Sequence, residues 1–405
     1  MALTAALRRI YYGWWVAASL TVVLVFSHGT TYYLISVMLP HLIDEFGWSR
    51  TAVSGLASLF LITLALLSPP VGHLCDRWGA RKIMLVSAPF MAIALLMLST
   101  IQSLWQLYAT YFLLSLAATG MHTVPVGTTI TRWFVTHRGT AMGLAMSGMS
   151  LGGFLVAPIA GFLNDSVGWR ITYGIIGVAA ALVLVPLILL VVKSGPAPAH
   201  PSSLEETTRS PVELSPARNL LRHPAFWLVT ISFALISTSF VGTLTHFVAF
   251  LKDSGMSSVT ASGMLGIVAG MGAIGKVLSG YLSDRISRLW VAGATAVFQA
   301  LGLLVVMASQ APLALWVFAV LFGVALGFAP VVRPLVLGDF FGSAAFGTNY
   351  GWMIMVTFLG SAVGPPFAGY IYDTTGSYTV AFTVFIAAYA ASVACLLLGR
   401  RLRPT

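Results

Sequence analysis

Gly72-His-Leu-Cys-Asp-Arg77 returns 208 residues later as Gly280-Tyr-Leu-Ser-Asp-Arg285. At the same offset, and without a gap, Gly139 to Gly168 meets Gly347 to Gly376. Ten of those thirty pairs are identical, among them Gly143/Gly351, Pro158/Pro366, Gly161/Gly369 and Asp165/Asp373. The match extends to Gly47/Gly255, Ser49/Ser257, Ser54/Ser262 and Gly55/Gly263. A long, fixed offset of this kind reads as a chain duplicated in parallel, with two halves built alike.

The surrounding sequence says what the halves are made of. Charged residues are 8% of the 405-residue chain, the hydrophobic fraction is 58% and the mean hydropathy is +0.92. A soluble domain carries roughly 25% charged residues. Crossing the hydrocarbon core takes about 20 apolar helical residues. Twelve stretches qualify, at roughly 12–39, 51–71, 82–101, 104–128, 140–163, 170–192, 225–250, 259–281, 289–309, 313–338, 347–371 and 378–399. The fold class expected is therefore an all-α polytopic membrane protein with twelve spans in two pseudo-symmetric six-helix bundles.

The cations orient it. With the N-terminus inside, sixteen Lys and Arg fall in inner loops and tails, including Arg8, Arg9, Arg77, Arg132, Arg209, Arg218, Arg285 and Arg403. Only Arg50, Arg170 and Lys252 fall outside. This is a positive-inside bias that puts both termini in the cytoplasm. Acidic residues divide six to five, so the net charge of +10 reflects topology. It points to anionic lipid headgroups as the partner and away from nucleic acid. The first apolar stretch is too long for a typical signal h-region and reads as a retained helix. Cys75 and Cys395 both map to the cytoplasmic side, where no disulfide is expected.

Ser194 to Pro224 is the one long polar interruption. It holds six prolines and the acids Glu205, Glu206 and Glu213. It reads as a cytoplasmic linker, giving an N-terminal bundle at 1–193 and a C-terminal bundle at 225–405. The other connections are short, so consecutive helices must be antiparallel neighbours. No Cys/His metal spacing, phosphate-binding Gly-x-x-x-x-Gly-Lys-Ser/Thr or triad-like grouping is present. An enzyme is not expected, nor a cofactor. Nothing in the chain calls for a second copy, and a functional monomer is the expectation.

The repeated hexapeptide has a physical rationale. Gly72 and Gly280 allow close helix approach. Asp76 and Asp284 can accept hydrogen bonds from a neighbouring helix N-terminus, and Arg77 and Arg285 can bridge to carboxylates or lipid phosphates. Twice present at matching topological positions, the motif makes the chain resemble the major facilitator superfamily over essentially its whole length. Further residues narrow the likeness. Tyr11-Tyr12-Gly13-Trp14-Trp15 opens the first span and Phe46-Gly47-Trp48-Ser49-Arg50 precedes the second. Arg132-Trp-Phe-Val-Thr-His-Arg138-Gly139-Thr-Ala-Met-Gly143 leads into Ser147-Gly148-x-x-x-Gly152. With Gly364-Pro365-Pro366 and Asp373-x-x-Gly376-Ser377-Tyr378, this resembles the monocarboxylate transporter family and its bacterial oxalate/formate-exchanger relatives. The resemblance implies secondary active transport of a small carboxylate such as lactate or pyruvate, with two bundles rocking about a central site. Gly72, Asp76, Arg77, Gly280, Asp284, Arg285, Arg132 and Asp339 would serve the gates. The alternative it leaves open is an anion exchanger taking a small dicarboxylate. Efflux of cationic drugs and a non-transporting receptor are disfavoured by intramembrane cations and by the lack of any output domain.

Two cations lie inside spans, Lys276 and Arg333, and no Asp or Glu does. A charge at a helix centre costs roughly 2.5–3.5 kcal/mol on insertion scales and normally has a partner or a task. A bound carboxylate would supply the missing negative charge. Lys276 resembles in position the eighth-helix arginine that binds carboxylate in monocarboxylate transporters. The competing reading is a lysine snorkelling to the inner headgroups. Arg333, followed by Pro334, could reach a central cavity or fold back to Asp339. If both face the cavity, they suit a dicarboxylate.

Two departures matter. The animal relatives have an acidic residue one turn before that arginine, where this chain has Gly272, and a first-helix lysine that aligns best with Tyr33. Both are tied to proton coupling, so histidine is the next candidate carrier. His28, His122 and His246 lie within spans, and for each a core histidine bonded to a carbonyl is the competing reading. Tyr32, Tyr33, Thr357 and Phe358 could line the cavity or simply pack helices. The Gly-rich fifth and eleventh spans are expected to serve close helix packing.

Overall fold

The structure is a computed structural model, and it describes residues 11–48, 50–193, 195, 221–256, 258–309, 311–343 and 345–402. Most of the expected linker 194–224 lies outside the described residues, as do Arg8, Arg9, Ser49, Arg209, Arg218, Ser257 and Arg403. Two compact units divide the chain, Met1–Ser210 and Pro211–Thr405.

In the first unit α1 (Tyr12–His28), a π-helical turn (Gly29–Tyr33) and α2 (Leu34–Phe46) form one long span. Then come α3 (Arg50–Trp78), α4 (Ala80–Leu98), α5 (Leu104–Thr119), α6 (Thr123–Trp133), α7 (Arg138–Val167) and α8 (Trp169–Leu190). The second unit holds α9 (Pro224–Asp253), α10 (Ser258–Ser283), α11 (Arg288–Ala308), α12 (Pro312–Phe341), α13 (Phe346–Ser361), α14 (Gly364–Thr375) and α15 (Thr379–Arg401). Helix is the outcome that hydrocarbon demands of a single segment, since it satisfies every backbone N–H and C=O internally. Each unit pairs its spans in the same way. The first packs on the fifth (α1 with α7, α9 with α13 and α14), the second on the fourth (α3 with α5, α10 with α12), and the third on the sixth (α4 with α8, α11 with α15).

Several shared residues of the repeat are explained by backbone geometry. Gly47 and Gly255 have φ of +66° and +87°, and Gly168 and Gly376 have φ of +82° and +69°. Each pair ends a span in a conformation that a Cβ would strain. Gly148 and Gly152 meet the packing expectation. A Cβ on Gly148 would fall 2.2 Å from the Thr21 carbonyl oxygen, and one on Gly152 would fall 3.0 Å from the Gly29 nitrogen.

Of the twelve expected spans, eleven are helices long and apolar enough to cross a membrane among the described residues. The fourth is two shorter helices, α5 and α6, of 16 and 11 residues. Proline accounts for the break. Pro125 has no N–H to give the Met121 carbonyl, and its ring would clash there, so His122 takes up extended backbone (φ −91°, ψ −153°). Ser27 Oγ of α1 donates to the Ala118 carbonyl at 3.1 Å, satisfying an acceptor at the broken end. The eleventh span is interrupted beside prolines as well, although α3 stays continuous through Pro69 and Pro70. Pro365 and Pro366 cannot donate to Ser361 and Ala362, and α13 ends at Ser361.

Candidate functional site

In the first unit the sequence brings two irregular segments together. Thr30 Oγ1 donates to the Phe26 carbonyl at 2.7 Å and Thr31 Oγ1 to the Ser27 carbonyl at 2.6 Å. Tyr111 of α5 donates its hydroxyl to the Thr31 carbonyl. Side chains thus compete for carbonyls of the regular ladder, which suits the widened turn at Gly29–Tyr33. His28 stands at the mouth of that turn and His122 at the break between α5 and α6. His28 Nδ1 and His122 Nε2 are 3.3 Å apart. His122 is 1% exposed, with Nδ1 at 3.4 Å from Thr123 Oγ1 and the Phe60 ring 5.9 Å away, edge-on. His28 is half-buried, stacks on Tyr32 at 5.2 Å and meets Tyr33 edge-on at 5.5 Å. Four of the expected residues therefore form one cluster. Phe60, Tyr111 and Thr31 complete it, and no sequence signal marks those three.

The second unit buries the cations. Lys276 is 5% exposed and Arg333 is 6% exposed. Lys276 sits where α10 and α12 cross most closely. A Cβ on Gly275 would lie 2.0 Å from the Val324 carbonyl oxygen, and one on Gly327 would lie 2.4 Å from the Lys276 nitrogen. Nζ of Lys276 reaches the Gly272 carbonyl at 3.5 Å, within its own helix. The same crossing explains Gly272. A Cβ there would meet Leu326 Cδ2 at 2.4 Å, so a larger side chain at this position requires the Leu326 side chain to move aside.

Arg333 turns from α12 toward α9. Its Nη2 donates to Ser237 Oγ at 3.3 Å, and its guanidinium lies 5.6 Å from the Phe233 ring centroid. Nε of Arg333 is buried with no acceptor among the described residues, and no described carboxylate lies within 4 Å of the guanidinium. Asp339, one of the two destinations open to Arg333, pairs with Arg288 of α11. A delocalised cation is thus held in low dielectric, met among the described residues by the Ser237 hydroxyl and the Phe233 ring, with the Tyr350 phenol also near enough to interact electrostatically. Ser237 and Phe233 were not legible as partners, because Ser and Phe are common in any span.

The remaining expected residues are in place but dispersed. His246 of α9 spans the interruption of the eleventh span, with Nε2 at 2.9 Å from the Pro365 carbonyl oxygen and Nδ1 at 3.1 Å from the Tyr378 hydroxyl. Thr357 is 1% exposed and donates to the Met353 carbonyl at 2.7 Å, while Phe358 is half-buried one position on. At the motif ends Arg132 Nη2 lies 3.5 Å from the Cys75 carbonyl, Arg77 is exposed, and Arg285 stacks over Tyr281 at 4.2 Å. Gly72 and Gly280 are both buried, and Asp76 and Asp284 are half-buried. Among the described residues no cluster of three or more His, Cys, Asp or Glu could hold a metal ion.

Comparison with known proteins agrees with this architecture. The family model of the major facilitator superfamily matches residues 21–292 and 271–405. Monocarboxylate transporter 13 of Rattus norvegicus is 29% identical over 352 residues, covering 86% of this chain and 80% of that protein. Its Bos taurus counterpart is 30% identical over 339 residues, covering 82% and 76%. Among solved structures, the human organic anion transporter MFSD10 superposes with a TM-score of 0.74 at 16% identity. That match covers 95% of this chain and 99% of that one, a likeness of fold alone. Duplicated halves, paired spans and these relatives together make the chain an integral membrane transporter of the major facilitator superfamily, within its monocarboxylate transporter family.

Proposed function

We propose that the protein carries small organic monocarboxylates, of the lactate and pyruvate kind, together with a proton, by alternating access. The observation that supports this most strongly is Arg333, a buried guanidinium whose Nε lacks an acceptor and which has no described carboxylate within 4 Å. A substrate carboxylate supplies two acceptor oxygens in the geometry of the guanidinium fork. Lys276, on the helix that α12 crosses, adds a second positive charge. Names of the relatives point to the same substrate class. Histidines stand in for the acid and lysine that the sequence lacks at Gly272 and Tyr33.

In this reading residues 1–193 and 225–405 are the moving bundles and 194–224 is the linker. Tyr32, Tyr33, Thr357, Phe358 and His246 contribute to the substrate path or to its helix packing. Gly72, Asp76, Arg77, Arg132, Gly280, Asp284, Arg285 and Asp339 serve the inner gate. Both termini face the cytoplasm of a cell membrane, and the monomer is the working unit.

A second reading, exchange of a dicarboxylate for another anion, draws on the second buried cation, Lys276. Proteoliposomes separate the two. A monocarboxylate symporter accumulates labelled lactate when the outside is acidified, with no internal anion present. An obligatory exchanger moves nothing until an anion is loaded inside. Lys276→Gln is expected to abolish uptake while the protein still folds, and unchanged uptake kinetics in that variant would remove Lys276 from the site.

A further inference from the structure

We infer that His28 and His122 form a single proton-binding site, an imidazole pair that takes the transported proton on His28 and steadies the resulting charge through the bond between the two rings. The inference deepens the transport reading above and rests on it only in pairing this proton with a carboxylate. Its basis is the juxtaposition itself. Ninety-four residues separate the two histidines, yet Nδ1 of one faces Nε2 of the other at 3.3 Å. Each ring is delivered by a departure from regular helix, the π-helical turn after His28 and the break at His122. Such irregularities are enriched at functional sites, and here two of them converge.

The hydrogen-bond pattern gives the pair a direction. His122 Nδ1 is placed to donate to Thr123 Oγ1 at 3.4 Å, which leaves Nε2 as the acceptor. His28 Nδ1–H is then the donor across the pair. This tautomer set follows from the network. A proton taken from water binds at His28 Nε2 on the half-buried ring. The neutral N–H···N bond becomes a charge-assisted one, shorter and roughly twice as strong. Only N–H bonds form and break, and the proton returns to water on the far side. With one monocarboxylate aboard, the loaded carrier moves no net charge.

The surroundings make this the natural place for a proton in the first unit. The face of Tyr32 stacks on His28 from the same span at a distance suited to a cation, and Tyr33 meets it edge-on. From α3 the pair meets Phe60. From α5 comes Tyr111, whose hydroxyl is committed to the Thr31 carbonyl, and α7 presents Gly152 and Val156 to Gly29. The middles of these elements, residues 12–43, 51–75, 104–131 and 139–164, contain no Asp, Glu, Lys or Arg. These stretches bring no fixed charge of their own to the pair. A carboxylate entering the protein therefore favours the protonated pair, and the protonated pair favours the carboxylate, which is reciprocal coupling.

The test uses the full chain in proteoliposomes. Labelled lactate uptake is measured under an inward proton gradient, and lactate counterflow is measured at equal pH. Dye-reported proton entry per lactate is read in parallel. His28→Gln and His122→Gln are each expected to lose the gradient-driven acceleration and the accompanying proton entry, while counterflow persists. Either variant keeping the wild-type proton-to-lactate ratio overturns the assignment. So does either one losing counterflow as well while its thermal unfolding stays normal, because the pair then serves substrate binding. If a variant fails to fold, the histidine 15N spectrum of the wild-type protein decides. One shared titration of both rings is expected. Independent titrations, or none, overturn the proposal. A wild-type protein that performs no counterflow with any monocarboxylate defeats the transport reading instead, and the 15N titration still judges the pair.

Discussion

The fifth span of the first unit and its repeat partner, the eleventh, share Pro158/Pro366, yet α7 runs unbroken from Arg138 to Val167 while α13 stops at Ser361 and α14 starts at Gly364. One proline removes one ladder bond, and the helix carries on through it. Beside Pro365 and Pro366 the helix gives way, although α3 runs on through the successive Pro69 and Pro70, so the outcome of a double proline depends on its surroundings. The fourth and tenth spans show the converse. Pro125 breaks the first unit's helix beside His122, whereas α12 passes through both Pro330 and Pro334 without interruption. Helix breaks thus fall where the two copies diverge. So do the ionisable side chains. At the repeat offset Lys276 stands opposite Ser68, Arg333 opposite Pro125 (or Val126 with a one-residue slip) and His28 opposite Ile236. One unit buries two cations, and the other brings a buried and a half-buried imidazole together.

Transplanting the break tests this comparison most severely. Ala157 lies opposite Pro365, so Ala157→Pro gives α7 the double proline of the eleventh span. A loss of about 3 kcal/mol is expected for a proline in a helix interior. It would be read as a lowered melting temperature in detergent, and an unchanged one would mean that the second proline is not what ends α13. Next in size is the crossing beside Lys276. Gly275→Ala forces a Cβ to 2.0 Å from a backbone oxygen and should cost about 1–3 kcal/mol. Gly266→Ala in the same helix meets nothing within 4 Å and should leave stability intact or slightly raised. Equal melting shifts for the two would remove the crossing as the reason for Gly272.

Smaller effects follow at the rim of each site. Ser237→Ala removes the one described hydrogen bond to Arg333. A hydrogen bond to a charged group is worth roughly 1.5–3 kcal/mol, so lactate KM should change by roughly ten- to a hundredfold. The direction separates two roles. A weaker apparent affinity means Ser237 orients the guanidinium, and a tighter one means it competes with substrate. The least change belongs to the part-buried Arg288–Asp339 pair, where Arg288→Ala should cost about 1 kcal/mol of stability. A loss of several kcal/mol would give that pair the weight of a fully buried one.

Much of the architecture was legible in the residues. Twelve apolar stretches, the charge asymmetry and the 208-residue repeat lead directly to the superfamily fold. Both buried cations and all three span histidines stand out because ionisable groups are rare in such helices. Pairing was not legible. His28 and His122 meet only because a π-helical turn and a proline break aim them at each other, and neither irregularity has a reliable periodicity. Nor could the sequence choose between Asp339 and α9 for Arg333, since the answer depends on Arg288 reaching Asp339 first. Gly272 looked like a lost carboxylate. Its contact with Leu326 shows that a side chain there would have to displace Leu326.

The most direct measurement is the initial rate of labelled lactate uptake by wild-type protein, Arg333→Lys and Arg333→Gln in proteoliposomes, with folding checked by thermal unfolding. Removing one member of a buried charge pair costs about 3–5 kcal/mol. The expected result is wild-type uptake that Arg333→Lys retains in part and that Arg333→Gln reduces roughly a hundredfold or more. Uptake by the folded Arg333→Gln protein at the wild-type rate would contradict the assignment of Arg333 as the carboxylate anchor.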